Sequence, residues 1–239
     1  EPQHAGLPGM IRRLAPIVAM AFVALPLGAE SLDPAAGVSP DVEVGPALGR
    51  MPAQPATRGA SLQRARWEHR RDVELWTRVA LTAVSTHGRG LLETLPQDIA
   101  DWCPAYPTNV AGARAAFWAG LLSTLSRYES TWNPRAVGGG GRWFGLMQIY
   151  PHTAAGRNCR AQTGEALTGA AANLNCAVRI MAVTVPRDNA IAVKDQRWRG
   201  VAADWGPIRN DWMRRDMQRY TKRQVYCRLL SEVRPKGRP

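Results

Sequence analysis

The 239-residue sequence predicts a mainly helical domain, and three observations support this prediction. Two long segments repeat their apolar residues with the three-to-four-residue period of a helix. No convincing run of four or more alternating apolar and polar residues predicts a strand. The composition, 45% hydrophobic and 21% charged, excludes a wholly disordered chain, a collagen and a coiled coil.

The helical segments are predicted in the second part of the chain. The first covers 61–84, and the second, with the strongest apolar stripe, covers 110–130. A loop with an Asn133-Pro134 turn and four consecutive glycines is predicted over 133–145. Further helices are predicted at 151–157, 173–184, 200–206 and 209–230.

The N-terminal region predicts export. Residues 10–29 contain two arginines, then an apolar run over 14–27, then a small residue, which is the pattern of a secretory signal. The residues before Met10 are interpreted as an upstream extension, so 1–29 is the signal with its extension. The apolar run is short for a membrane span, and we expect no stable membrane insertion after cleavage; an uncleaved anchor is the alternative.

The rest of the chain divides into a linker and a domain. Residues 30–60 are rich in Pro, Ala, Gly and Val, lack periodicity and predict a flexible linker. The domain is predicted over 61–239. The net charge of +12 favours an anionic partner, either nucleic acid or a polymer of the cell envelope. No nucleic-acid-binding module is recognisable, so nucleic acid is not the predicted partner.

The four cysteines predict two disulfides. An even number of cysteines behind a secretory signal is typical of an oxidising compartment, here the periplasm or cell envelope. Four cysteines allow three pairings. We favour Cys159–Cys176, which would close a local loop, and Cys103–Cys227, which would join the two ends of the domain.

A glutamate continues the apolar stripe of the second helix. The stripe runs Trp118, Leu122, Leu125, and its next member is Glu129. Burial and the negative end of the helix dipole both disfavour the carboxylate, so a raised pKa is expected. A protonated carboxyl at neutral pH can act as a general acid. An exposed helix-end glutamate is the alternative.

The residues around this glutamate carry a family resemblance. Residues 128–134 have the sequence YESTWNP, and residues 145–154 have the sequence GLMQIYPHTA. This string resembles the lytic transglycosylases with a soluble-type (SLT, goose-lysozyme-like) catalytic domain. The resemblance is tight over these motifs, looser over about 100–230, and absent before residue 60. It implies a lysozyme-like helical domain with a saccharide cleft and a catalytic core at about 103–230.

The resemblance also implies a reaction. Glu129 would be the single acid/base that cleaves the β-1,4 bond between N-acetylmuramic acid and N-acetylglucosamine in peptidoglycan glycan strands. The product would carry a 1,6-anhydro-N-acetylmuramic acid end. No metal or cofactor is expected, since no metal-ligand cluster is recognisable. A lysozyme-like hydrolase and a catalytically weak murein-binding or scaffold protein are the alternatives, and oligomeric state is left open.

The family pattern assigns further residues to the cleft. Ser130 would orient the glutamate and the sugar, and Gly145 would let the backbone approach the ligand. Met147 and Gln148 would contact the saccharide, with core packing as the alternative for Met147. Asn173 and Leu174 resemble a packing element of the family.

The chain departs from the family in its third motif. Asp204 stands where the family has a tyrosine, followed by Trp205. Either Trp205, Tyr220 or Tyr226 takes the tyrosine's place, or that role is absent. We expect Trp143 and Trp205 to line the cleft. Asp204 could instead supply a second carboxylate, or merely cap a short helix.

Overall fold

The computed structural model describes residues 65–229, so the predicted signal and linker lie outside the described residues. The described part is mainly helical, as the sequence predicts. Its elements, in chain order, are α1 (Val73–Ser85), α2 (Arg89–Glu93), α3 (Ala111–Ser130), β1 (Val137–Gly138), β2 (Trp143–Phe144), α4 (Pro151–Gly156), α5 (Gly164–Leu167), α6 (Ala170–Asp188) and α7 (Asp211–Lys222). Short 3-10 turns lie at Ile99–Asp101, Tyr106–Thr108, Gly200–Ala203, Pro207–Arg209 and Val225–Cys227.

Helix α3 lies at the centre of the core. Its residues are buried without interruption from Ala115 to Ser126, so it is enclosed on all sides rather than on one face. Helix α1 packs on α3 and α6, and α7 packs on α3. The burial of large side chains such as Trp118 and Leu122 supplies the hydrophobic stabilisation that holds α3 in place.

Both predicted disulfides are present, with the favoured pairing. Cys103 is bonded to Cys227, and Cys159 is bonded to Cys176. The first links residues 124 positions apart and therefore ties the segment before α3 to the end of the described chain. Closing a loop of that length stabilises the fold by roughly 4–5 kcal/mol in the chain-entropy description.

The first predicted helix begins later than its sequence pattern indicates. Residues 65–72 form turns, and α1 starts at Val73. The backbone N–H of Arg66 donates to Ser123 Oγ at 3.0 Å, and the indole of the buried Trp67 donates to Thr77 Oγ1 at 2.9 Å. These tertiary contacts override the local helical preference, as is common for a periodic segment at the edge of a core.

Two other boundaries differ from the prediction. Helix α6 extends to Asp188 and contains Pro186 near its end, while the predicted 209–230 helix divides into α7 and a 3-10 turn. The predicted loop 133–145 contains a two-residue-per-strand hairpin, too short for any periodic signal. Within residues 65–229, no helix is long and apolar enough to cross a membrane.

Candidate active site

A cleft of about 370 Å³ opens at the C-terminal end of α3. Its walls come from the last turn of α3, the β1–β2 hairpin, the segment after β2, and the turns before α7. The lining residues are Glu129, Gly138, Gly139, Trp143, Gln148, Asp204, Trp205, Gly206, Pro207 and Arg209.

The position of Glu129 depends on the way α3 ends. Two consecutive residues after the helix, Thr131 (φ 53°) and Trp132 (φ 57°), adopt the left-handed conformation that side chains with a Cβ disfavour. The indole of Trp132 donates to Ser123 O at 2.8 Å and packs edge-on against His69, with ring centroids 4.5 Å apart. These contacts hold the strained turn and therefore hold the glutamate one residue from the helix end.

The Glu129 carboxyl has no partner for one of its oxygens. Oε1 is buried and makes no hydrogen bond to any residue in 65–229. Burial raises the pKa of Glu129 from 4.5 to about 8. The carboxyl is therefore mostly protonated at neutral pH, and a protonated carboxyl facing a cleft can donate a proton to a bound group.

Ser130 fastens the helix end to the segment after β2. Its Oγ lies 2.9 Å from Leu146 O and 3.2 Å from Ser126 O, and its hydroxyl donates to these carbonyls. It does not line the cleft. Ser130 connects the helix that carries Glu129 to the cleft floor, and its predicted role in orienting the glutamate and the sugar stays a prediction.

Asn173 of α6 organises the cleft floor. Its side chain accepts from the backbone N–H of Met147 at 2.8 Å and donates to Phe144 O and Leu167 O, each at 2.9 Å. A Cβ on Gly145 (φ 78°) would lie 2.4 Å from this amide and 2.2 Å from Leu167 O. Gly145 is thus needed for close approach to Asn173, and its predicted approach to the ligand stays a prediction.

The two residues after Leu146 point in opposite directions. The Met147 side chain is fully buried in the core, so the expectation that it contacts the saccharide is wrong. Gln148 (φ 46°) lines the cleft, and its amide donates to Gly145 O at 2.9 Å and Ala136 O at 3.2 Å. These bonds fix the Gln148 side chain across the base of the hairpin.

Trp205 and Asp204 form the wall on the opposite side from the hairpin. The indole of Trp205 is almost completely buried and donates to Met147 O at 2.9 Å, which ties this wall to the floor. Asp204, at the end of a 3-10 turn, is exposed at the cleft and accepts a hydrogen bond from Thr184. Desolvation raises its pKa, although the charges of nearby arginines oppose the shift.

The two tyrosines considered for the cleft lie elsewhere. Tyr220 hydrogen-bonds with Ser123, and the Arg66 guanidinium lies 5.4 Å from its ring centroid. Tyr226 is buried against the middle of α3, where a Cβ on Gly120 would lie 2.4 Å from its hydroxyl. Neither tyrosine lines the cleft, whereas Trp205 and Asp204 do, and the role predicted for Tyr220 stays a prediction.

The hairpin contributes residues that the sequence analysis did not assign. The Trp143 ring, which we expected in the cleft, lies against Gly139, where a Cβ would be 2.0 Å from ring carbons. Gly138, Gly139, Pro207 and Arg209 were missed; the glycine run predicted only a loop. In residues 65–229, no group of three or more His, Cys, Asp or Glu side chains could hold a metal ion.

Comparison with known families identifies this arrangement. Residues 107–207 match the family model for the transglycosylase SLT domain. This segment is a transglycosylase SLT domain. The domain type supports a lytic transglycosylase type of function on peptidoglycan. The matched segment includes every cleft-lining residue except Arg209.

Three solved structures that are similar to this chain are of one protein. The structure titled "Bd0314 DslA wild-type form 2" has a TM-score of 0.65 and 26% identity, covering 70% of this chain and 99% of that one. A glutamate-to-glutamine mutant of DslA gives the same values, and a second such mutant gives 0.63, 25%, 69% and 97%. None of the curated proteins compared with this chain matches it.

Proposed function

We propose that this protein is an exported lytic transglycosylase of peptidoglycan, with Glu129 as its single acid/base. It would cleave the β-1,4 bond between N-acetylmuramic acid and N-acetylglucosamine and leave a 1,6-anhydro-N-acetylmuramic acid end. One observation carries the proposal: an SLT-domain cleft contains a buried glutamic acid whose Oε1 has no partner within residues 65–229.

The chemistry uses the same carboxyl twice. Glu129 donates its proton to the glycosidic oxygen as the bond from that oxygen to the muramic anomeric carbon breaks. The carboxylate then removes the proton of the muramic C6 hydroxyl, whose oxygen bonds to the anomeric carbon. Glu129 is thereby protonated again and no water is consumed. A pKa of about 8 suits both steps, because neither protonation state is far from neutral pH.

The cleft walls suit a saccharide. Trp143, 40% exposed, offers aromatic surface to the apolar faces of sugar rings. The Gln148 carboxamide adds a polar group, and its two donors are held by Gly145 O and Ala136 O. The hairpin segment 137–144 contains no carboxylate, so no second acid faces Glu129 from that side.

Asp204 supports a second candidate function, hydrolysis by a lysozyme-like mechanism. It lines the same cleft as Glu129, and a second carboxylate is what a glycosidase uses to activate water or to form a covalent intermediate. We favour the transglycosylase because residues 107–207 match the family model of the transglycosylase SLT domain.

The two disulfides support export. Disulfides persist in the bacterial periplasm and outside the cell but are rare in the cytosol, and both cystines are buried in the fold. Export would also bring the enzyme to its polymer, which lies in the cell envelope.

Product analysis tests the proposal. Purified peptidoglycan is digested with the wild-type protein, Glu129→Gln and Asp204→Asn, and soluble products are weighed by mass spectrometry. We expect products lighter by one water than hydrolysed muropeptides, produced by the wild type and by Asp204→Asn but not by Glu129→Gln.

The other outcomes separate the alternatives. Reducing-end products that disappear in both variants would establish the hydrolase and overturn the transglycosylase. Absence of soluble products with retained binding to murein would indicate a binding or scaffold protein.

A further inference from the structure

A second concavity adjoins the cleft. It has a volume of about 510 Å³ and is lined by Arg187, Arg197, Trp198, Ala203, Asp204 and Arg209. We call it the arginine pocket. Asp204 and Arg209 line both the arginine pocket and the cleft, so the two spaces share a boundary. A ligand in the cleft could extend a substituent into the pocket without crossing the core.

Three arginines and one aspartate, Asp204, line the pocket. Arg209 is fixed by donating through Nε to Ala202 O at 2.7 Å and through Nη2 to Ala203 O at 2.8 Å. Arg187 is held by two hydrogen bonds to Asp188, at 2.8 and 2.7 Å. The Arg197 side chain is exposed and makes no hydrogen bond or ion pair within the described part of the chain, so its guanidinium is available.

The pocket keeps a net positive charge, since its three arginines outnumber Asp204 and the Asp188 that holds Arg187. Asp204 accepts from Thr184 and lies in the field of Arg157, Arg187 and Arg209. Trp198 contributes an apolar surface, and two further cations, Lys194 and Arg214, lie 5.7 and 5.6 Å from its rings. The pocket is therefore suited to an anion that also carries an apolar part.

We propose that the arginine pocket binds the carboxylates of the stem peptide on the muramic residue in the cleft. The proposal rests on the proposed function, because it assumes a peptidoglycan strand there. The sugar backbone of that strand is uncharged, and its anionic groups are the carboxylates of the peptides attached to the muramic lactyl groups. Guanidinium groups recognise carboxylates through paired hydrogen bonds, so an arginine-lined pocket beside a glycan cleft matches the peptide.

A binding measurement tests the pocket without requiring catalysis. A soluble N-acetylmuramoyl peptide with free carboxylates is titrated calorimetrically into the wild-type protein and compared with the same compound with amidated carboxyls. We expect amidation to weaken binding by about tenfold, which is typical of one charge-assisted contact at a partly exposed site. Arg197→Gln should weaken binding of the free-carboxylate compound to a similar degree.

Arg223→Gln is the matched control. It removes one exposed arginine just after the C-terminal end of α7, whereas the pocket lies at the other end of this 12-residue helix. Its affinity for the muramoyl peptide should equal that of the wild type. Equal melting temperatures for both variants would exclude a general loss of structure.

The outcomes separate this proposal from the proposed function. If the affinity for the muramoyl peptide is unchanged by both amidation and Arg197→Gln, the proposed role of the arginine pocket is overturned, even if peptidoglycan is cleaved to anhydro products. Preferential, Arg197-dependent binding of an oligomer of glycerol phosphate would also overturn it, because the anion would then be a phosphate of another wall polymer. Arg197-dependent binding of the free-carboxylate peptide without cleavage would retain the pocket and reject the enzyme.

As a second readout, kcat/KM is compared on strands with and without peptides. Arg197→Gln should reduce the preference for peptide-bearing strands by about tenfold, in line with the loss of one such contact. An unchanged preference contradicts the proposal.

Discussion

The carboxyl groups of Glu129 and Asp216 lie near the end of α3 and differ in their hydrogen-bond partners. Glu129 faces the cleft, and its Oε1 has no hydrogen bond within residues 65–229. Behind the helix, Asp216 of α7 accepts a hydrogen bond from Arg66 and one from Tyr128 Oη at 2.6 Å, and Arg219 lies 3.6 Å away. Tyr128 and Glu129 are neighbours in sequence, so one residue of α3 contacts a paired carboxylate of α7 and the next carries a carboxyl whose Oε1 has no partner within residues 65–229.

The pKa directions follow from this difference. Desolvation raises the pKa of Glu129 with nothing to oppose it. Desolvation would also raise that of Asp216, but the hydrogen bonds from Arg66 and Tyr128 and the nearby arginine charges outweigh it, and the pKa is lowered. Partial burial alone therefore does not identify a catalytic carboxyl. The unpartnered Oε1 distinguishes Glu129 from Asp216 and makes Glu129 the candidate for chemistry.

The largest expected effect is on turnover. Glu129→Gln should slow glycan cleavage by roughly 100- to 10,000-fold, because it removes the proton donor while preserving shape. Asp216→Asn should leave the rate at saturating substrate near that of the wild type, measured at a temperature where both variants are folded. Comparable losses of cleavage rate in the two variants would mean that the Glu129 carboxyl has no particular role in turnover.

The next effect is the pH dependence of stability. The folded-state pKa of Glu129 is about 8 against an ordinary value of 4.5, so the unfolded chain ionises first as pH rises. The wild type should therefore lose stability relative to Glu129→Gln between about pH 4.5 and 8, by roughly 3 kcal/mol at pH 7. Urea unfolding at several pH values measures this difference, and a gap that does not change with pH would contradict it.

Asp216 should show the opposite behaviour. Asp216→Asn should lower the free energy of unfolding by about 2 kcal/mol at neutral pH, because Arg66 and Tyr128 lose a charged acceptor. Since the folded-state pKa is lowered, this stabilisation is present above the ordinary pKa and is lost as pH falls through the folded value. Glu74→Gln, which breaks an exposed pair with Arg78, is the control and should change stability little.

The smallest effect concerns the strained turn that follows Glu129. Thr131→Gly should raise the free energy of unfolding by at most about 1 kcal/mol, because glycine removes the left-handed penalty but increases the entropy of the unfolded chain. Thermal unfolding measures the change. A loss of stability would indicate that the Thr131 side chain makes contacts that outweigh its backbone strain.

The sequence predicted the structure best for helix α3 and the residues on it. The apolar stripe of α3 predicted both the helix and the placement of Glu129 on its buried side, since a long periodic segment constrains its own faces. The cystine pairing was also favoured correctly, because one short loop and one pair of domain ends offered a simple choice. The start of α1 was wrong, since contacts of Arg66 and Trp67 with distant residues decide it.

The cleft floor could not be derived from sequence alone. Met147 and Gln148 are adjacent in a turn, and nothing in their identity indicates which one faces the core. The role of Gly145 depends on Asn173, which is 28 positions away and was interpreted only as a packing element. The arginine pocket was equally hidden, because its members are spread over 187–209 and only the fold brings them together.

Because Trp143 packs against Gly139, the shape of the cleft depends on residue 139 having no side chain. Any side chain at position 139 would collide with the indole and push it away from the wall, whereas the glutamate is anchored by a different element. The shape of the cleft wall and the position of Glu129 are thus set by separate segments of the chain. A substitution at position 139 would reshape the wall and leave α3 unchanged.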